Sequence, residues 1–247
     1  MAKLLVANWK LNPIRETEAV RLARASDAKG VVICPPFPFL KAVGKILRRA
    51  KLGAQDMFWT EQGAYTGEVS PQMLKKAGVE YVIVGHSERR RWLHETDEMI
   101  GKKVVAALKA GLSVVLCVGE PISVRRKGLA AAKRFAGTQL RKDLGGVSHL
   151  TSHISHLVIT YEPLWAIGTG RADNPRDSAA MAHFIKKMCA SRFALRDLQV
   201  LYGGSVTSKN IRRIFEYNEI AGALVGGASL NAAEFRKIIA AASAYAV

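Results

Sequence analysis

Carboxylates are scarce in this chain. Asp and Glu number 20 against 37 Lys and Arg in 247 residues, giving a formal net charge of +17 and a pI of about 10.1. The segment from Pro121 to Lys142, PISVRRKGLAAAKRFAGTQLRK, contains no Asp or Glu. Such an imbalance predicts attraction to anions, either nucleic acid or a small phosphorylated substrate. Long apolar runs are also missing: none approaches the roughly 20 residues of a membrane span, so no membrane partner is expected. The start, MAKLLVANWKLNP, lacks the apolar core and small-residue cleavage site of a secretory signal, and a cytoplasmic location is expected. Cysteine is sparse and odd in number. Cys34, Cys117 and Cys189 lie far apart in apolar runs, which predicts buried thiols and argues against disulfides or metal ligands. No low-complexity tract, linker or repeated sequence motif interrupts the chain.

What is present has the composition of a globular protein, with 49% hydrophobic and 23% charged residues. Short runs rich in β-branched and apolar residues recur at KLLVAN, VVICPP, LGAQDMF, YVIVGH, SVVLCVG, LVITYE, QVLYGG and GALVGG. Nearly every gap between them holds a segment of helical periodicity. Several of the runs are continuously apolar, as in parallel strands covered on both faces. A helix is predicted over SAAMAHFIKKMCASRF (178–193) and another over NAAEFRKIIAAASAYAV (231–247), where Asn231 and Glu234 have the spacing of a capping box. Eight strand and helix units in one α/β chain of this length predict a single closed (β/α)8 barrel over residues 1–247. The third unit is irregular. After Phe58 comes the long polar loop WTEQGAYTGEVSP, then a short helical stretch, PQMLKKAG.

In such a barrel the active site lies at the C-terminal ends of the strands. Asn8 and Lys10 fall there after the first run, His86 after the fourth, and Glu162 after the sixth. The turns Gly203-Gly204-Ser205 and Gly226-Gly227-Ala228-Ser229 follow the seventh and eighth. Alone, each has an ordinary structural reading: a strand-end carboxylate, a satisfied histidine, a turn. Together they make a chemical set. Glu162 is a candidate base, His86 and Asn8 can donate hydrogen bonds to a carbonyl oxygen, Lys10 brings positive charge, and backbone N–H groups at the glycine turns can cradle a phosphate.

A carboxylate has an ordinary pKa near 4.3 and is a weak base in water, so Glu162 needs a device that excludes water. The stretch EPLWAIGTGRAD supplies one. Pro163 and Trp165 read as a stiff hinge beside the base, and residues 163–173 as a lid able to lay backbone N–H groups on an anion.

The motifs ANWKLN, GAYTGE, VGHSERR, LCVGE, YEPLWAIGTG, LYGGSV and LVGGASL occur in the order and approximate spacing of the triosephosphate isomerase family and cover essentially the whole chain. The chain resembles that family. The resemblance implies interconversion of dihydroxyacetone phosphate and D-glyceraldehyde 3-phosphate, with no cofactor and no metal. In that family a glutamate base is paired with a neutral histidine whose pKa is lowered by a helix N-terminus. It assigns Glu162 as the base, with His86, Asn8 and Lys10 stabilising the enediolate. The backbone N–H groups of Gly168, Ser205, Gly226 and Gly227 would hold the phosphate of a small three-carbon substrate. Glu88 matches the family's further carboxylate near Lys10, and Cys117 a thiol that supports the base's surroundings. Tyr65, Thr66, Gly67 and Glu68 match a loop that inserts into a partner subunit, which implies a homodimer.

The chain departs from the family pattern at the far end of the lid, where Arg171-Ala172-Asp173 replaces Lys-Thr-Ala or a similar small set. It departs again in the acid-free segment after Glu120, at His94 where glycine is common, and at Ala221 where aspartate is common. Two other readings compete. One is a diverged phosphate-binding barrel acting on another sugar phosphate, since glycine turns after the last two strands are widely shared. The other is a basic barrel binding nucleic acid nonspecifically through Arg125, Arg126, Lys127, Lys133, Arg134, Arg141, Lys142 and the Arg89–Arg91 cluster. No stacking aromatics are interleaved with those residues, so specific nucleic-acid recognition is not expected. His149, His153 and His156 precede the sixth run without a matching carboxylate or cysteine cluster, which argues against a metal site.

Overall fold

A computed structural model describes residues 3–147, 156–168 and 172–245. Eight parallel strands form a closed barrel in chain order: β1 (Leu4–Asn8), β2 (Val31–Cys34), β3 (Lys51–Ala54), β4 (Tyr81–Val84), β5 (Ser113–Val118), β6 (Leu157–Tyr161), β7 (Gln199–Tyr202) and β8 (Gly222–Val225). β8 returns to β1 with Leu4 opposite Gly222, which completes the closure. All eight predicted runs contain a strand, and every residue of β2 and β6 is buried, as continuous apolar character requires.

Outside the strands run α1 (Glu16–Ser26), α2 (Leu40–Ile46), α3 (Pro71–Lys76), α4 (Ser87–Trp92), α5 (Asp97–Lys109), α6 (Ile122–Arg125), α7 (Leu129–Asp143), α8 (Pro175–Phe193), α9 (Ile211–Phe215) and α10 (Ala232–Ser243). Their apolar faces and the outward strand residues form one core, while Val6, Val32, Cys34, Ile83, Val115, Cys117, Val158, Leu201 and Leu224 fill the barrel interior. All three cysteines are buried and free. Burial raises the pKa of each thiol, that of Cys189 to about 12, which keeps them protonated packing groups at neutral pH.

Two helices differ from their predicted form. α8 starts three residues before the predicted Ser178, because Pro175 suits a first helical position and the Asn174 side chain accepts from the Arg176 N–H at 3.0 Å. At α10 only half of the predicted capping box exists. Asn231 accepts from the N–H groups of Ala233 and Glu234, but Glu234 does not reach back to Asn231. Its carboxylate instead accepts from the Ser208 N–H at 2.7 Å and hydroxyl at 3.0 Å, a tertiary contact that outcompetes the local one. The polar loop before α3 is exposed from Glu61 to Glu68, and Ser70 caps the helix by accepting from the Met73 N–H.

Candidate active site

At the C-terminal end of the barrel lies a cavity of about 370 Å³ lined by Asn8, Lys10, His86, Glu162, Ile167, Gly168, Gly203 to Thr207, Leu224, Gly226 to Ala228 and Glu234. The strands explain the convergence. Asn8 ends β1, Glu162 directly follows β6, and His86 stands two residues beyond β4 as the N-cap of α4.

Lys10 adopts φ +55, a left-handed backbone that costs a non-glycine residue of order 1 kcal/mol and is kept only where surroundings impose it. Here they do. The Lys10 N–H donates to Asn8 Oδ1 at 3.0 Å, and Gln55 Nε2 donates to the Lys10 carbonyl at 2.9 Å. The result sends Lys10 Nζ to Glu88 Oε1 at 2.5 Å. Because Asn8 Oδ1 accepts, its amide NH₂ is left as the donor for a ligand.

His86 is fixed by a similar argument. Its Nδ1 accepts from the Glu88 N–H at 3.2 Å, so the neutral ring carries its proton on Nε2.

Glu162 is 1% exposed. Its Oε2 accepts from the Ser87 N–H at 3.0 Å, while His86 Nε2 lies 3.1 Å from Oε1 but outside hydrogen-bond geometry. Among the described residues Oε1 has no hydrogen bond, an arrangement that leaves one carboxylate oxygen available beside a ring N–H. Two glycines make room for this residue, one beside its side chain and one beside its backbone. A Cβ on Gly203 would stand 2.9 Å from Glu162 Cγ, and one on Gly119 only 1.7 Å from the Glu162 carbonyl oxygen.

The glycine turns line the same cavity beside these groups: Gly203 lies against Glu162, and a Cβ on Gly226 would stand 3.3 Å from Lys10 Cε. Asn210 orders the first by donating to the Ser205 carbonyl at 2.9 Å and accepting from the Thr207 N–H at 2.8 Å. Glu234 pins Ser208 beside it. In the second, Ser229 N–H and Oγ–H both donate to the Gly226 carbonyl, at 2.8 and 2.7 Å. Such turns present backbone N–H groups suited to a small dianion.

Past Glu162, Pro163 is buried and Leu164–Ala166 forms a short 3-10 turn. Trp165 Nε1 donates to Glu120 Oε1 at 3.4 Å, and Tyr161 Oη donates to the same oxygen at 3.0 Å. Burial raises the Glu120 carboxyl pKa, against those two donors and Arg125. Gly168, at φ +69, lines the cavity; residues 169–171 of the predicted lid lie outside the described residues. Cys117 sits in the barrel interior near Glu162, whose charge adds to burial in raising its pKa.

Other predicted groups lie elsewhere. Tyr65, Thr66, Gly67 and Glu68 are exposed and do not reach this chain's own cavity. Arg89 is paired with Asp56 at 2.9 Å and Glu95 at 2.7 Å, and Arg90 with Asp97 and Asp143 at 2.6 Å each. Neither is therefore a free phosphate-attracting cation, and of that cluster Arg91 alone is exposed. His149 and His153 lie outside the described residues; His156 stands before β6, Nδ1 3.3 Å from the Ser113 hydroxyl. No helix among the described residues is long and apolar enough to cross a membrane.

Sequence reasoning missed Ser87, Gly119 and Tyr202, and it read Gly203 only as part of a phosphate turn and Glu234 only as half of a capping box. Ser87 and the two glycines act through backbone or through the absence of a side chain, and Glu234 carried a competing local signal. Tyr202 lies in an apolar strand, where nothing in the residue order marks its hydroxyl as the acceptor of the Asp173 N–H.

A family model described as triosephosphate isomerase matches residues 3–242. The triosephosphate isomerase of Thermoanaerobacter pseudethanolicus is 45% identical over 249 residues, covering 96% of this chain and 98% of that protein. That of Dictyoglomus thermophilum is 42% identical, with 96% and 98% covered. That of Aquifex aeolicus is 41% identical, with 97% and 99% covered.

Proposed function

From the premise that this chain belongs to the triosephosphate isomerase family, we propose that it interconverts dihydroxyacetone phosphate and D-glyceraldehyde 3-phosphate at this cavity, residues 1–247 acting as one barrel domain. The observation that carries the reading is Glu162, buried with one carboxylate oxygen free of hydrogen bonds and His86 Nε2 3.1 Å away, in the cavity that the glycine turns also line.

The substrate phosphate binds the backbone N–H groups of Gly168, Ser205, Gly226 and Gly227, which fixes the three-carbon chain beside Glu162. Glu162 then takes a proton from the carbon beside the carbonyl. Electrons move into the carbonyl, and the oxygen that gains charge accepts hydrogen bonds from His86 Nε2–H and the Asn8 amide, with Lys10 adding a fixed positive charge. The hydroxyl proton passes to the oxygen that had been the carbonyl, with His86 Nε2 placed to carry it between the two enediolate oxygens, and returning the carbon proton to the neighbouring carbon completes the isomerisation. Glu88 holds Lys10 in place by its ion pair. Cys117 contributes packing beneath the base. Pro163 and Trp165 act as the hinge of a lid over residues 163–173, which keeps water from Glu162 and keeps the enediolate from expelling phosphate before reprotonation. The chemistry as written uses side chains and backbone alone.

We also propose a homodimer working in the cytoplasm. The exposed loop Tyr65–Glu68 would enter the partner beside its cavity, covering Leu11 (91% exposed), Trp92 (64%) and Leu93 (58%), apolar groups that a lone barrel leaves in water.

The test is isomerisation of glyceraldehyde 3-phosphate, followed by coupling the ketone product to an NADH-dependent dehydrogenase, with Glu162→Gln alongside. We expect fast turnover in the wild type and a loss of at least roughly 10³-fold in kcat for the variant, the scale of a removed general base. An inactive wild type would point to another sugar phosphate.

A further inference from the structure

The far end of the lid carries an aspartate where the resemblance predicts a small residue, and the structure gives that aspartate an unusual set of partners. Asp173 is 4% exposed. Its Oδ1 accepts from the Asn174 N–H at 2.8 Å and its Oδ2 from the Ser178 hydroxyl at 2.9 Å. Its own N–H donates to Tyr202 Oη at 3.0 Å. Arg125 Nη2 approaches Oδ1 at 3.4 Å while binding Asp177 Oδ2 at 2.5 Å. The same guanidinium stands 5.7 Å from the centroid of the Trp165 ring, within cation–π range. Arg125 comes from α6, in the segment that has no carboxylate of its own.

One arginine therefore touches both ends of the stretch that follows the base: Trp165 at its start, Asp173 and Asp177 at its return into α8. A buried carboxylate is costly unless paired, so Asp173 favours the arrangement in which Arg125 and the two N–H and O–H donors are all engaged. Tyr202 adds a third tie, since it is the register partner of Tyr161, the residue before Glu162.

We propose that Arg125 and Asp173 are a pair of positioning residues that clamp the two ends of the lid together, and that this clamp sets how well the protein retains its enediolate intermediate. The proposal rests on the isomerase and lid readings above. Neither residue touches the reacting atoms; they act on the spacing of Trp165 and Asp173, and through it on how firmly Ile167 and Gly168 are held against the cavity they line.

The readout is the fate of the intermediate. An enediolate phosphate exposed to water breaks its carbon–oxygen bond to the phosphate, and the organic fragment tautomerises to methylglyoxal, so triose phosphate becomes methylglyoxal plus inorganic phosphate with no redox partner. For wild type, Asp173→Ala, Asp173→Asn, Arg125→Gln and the Arg125→Gln/Asp173→Asn double variant, isomerisation rate, KM and inorganic phosphate released per turnover are measured together.

We expect Asp173→Ala to raise the phosphate-releasing fraction roughly tenfold and KM severalfold, with a smaller fall in kcat. Asp173→Asn keeps the neutral hydrogen bonds and should show part of the effect. Arg125→Gln should match it, and the double variant should be no worse than the worse single, as coupled residues behave. Should Asp173→Ala fail to fold, the other three variants carry the same comparison. Folded variants with lowered thermal stability but an unchanged phosphate fraction would overturn the clamp, as would additive losses in the double variant. A wild type that isomerises while every variant partitions like it sinks the clamp alone; a wild type without isomerase activity removes the function and the clamp with it.

Discussion

Glu162 is held as much by missing atoms as by present ones. Gly203 lies against its Cγ, and a Cβ there would also come within 2.6 Å of Thr160 Cγ2, a buried strand atom that cannot retreat. Gly203→Ala must therefore move the Glu162 side chain, the strand or both. Overpacking at a well-filled site costs about 1–3 kcal/mol, and a base displaced by ~1 Å loses on the order of 10² in rate. The expected outcome is a kcat lowered by roughly that factor with KM little changed, together with a lower melting temperature. Full activity in the variant would show that the carboxylate has more freedom than its packing implies. The strained Lys10 backbone points the same way. Its left-handed φ is imposed by Asn8 and Gln55, so a positively charged group stands fixed before any ligand arrives.

Between residue and barrel, the joints that set element positions are mostly polar. Asp27, which ends α1, accepts from the N–H groups of Arg48, Arg49 and Ala50 at 2.9, 2.8 and 2.7 Å, tying α1 to the entry of β3. Partial burial raises its carboxyl pKa, but the three N–H groups and the Arg49 charge outweigh that and leave it below the usual value. A depressed folded pKa means that this contribution to stability is full above the ordinary carboxylate pKa near 4 and fades as pH falls through the lower folded value. Asp27→Ala should cost about 1–2 kcal/mol at neutral pH, discounted for solvent screening, and should flatten the acid limb of a stability-versus-pH curve. An acid limb as steep as that of wild type would place the linkage in other carboxylates. The elements themselves were legible from residue order: parallel strands covered on both faces must be apolar throughout, and Asn8, His86 and Glu162 follow the strand ends where a barrel collects its site. Joints were harder to read. Glu234 had the local spacing of a capping box yet serves Ser208, and Ser87 reaches Glu162 through a backbone N–H that no side-chain pattern encodes.

At the scale of the whole molecule the open question is the +17 charge. Several cations are already neutralised inside the fold: Lys103 pairs with Asp56 at 2.8 Å and with Glu95, and Arg89, Arg90 and Arg125 are each paired with carboxylates. What remains is largely exposed, as at Arg126 and Lys127 between α6 and α7 and at Arg134 and Arg141 on α7, outside the barrel wall. Charge at such distances makes no contact with a substrate and acts through the long-range field, which can raise encounter rates of an oppositely charged ligand by ~10–10³. A doubly anionic triose phosphate is such a ligand. Screening sets the test, because the Debye length shrinks from about 30 Å at 0.01 M to about 8 Å at physiological ionic strength. kcat/KM for glyceraldehyde 3-phosphate should therefore fall more steeply with added salt here than in a less basic member of the family, while kcat at saturation stays level. If both proteins show the same slope, the surplus charge does not steer substrate. Retention on a polyanion that vanishes with modest salt, at unchanged isomerase activity, would then identify it as a nonspecific surface property.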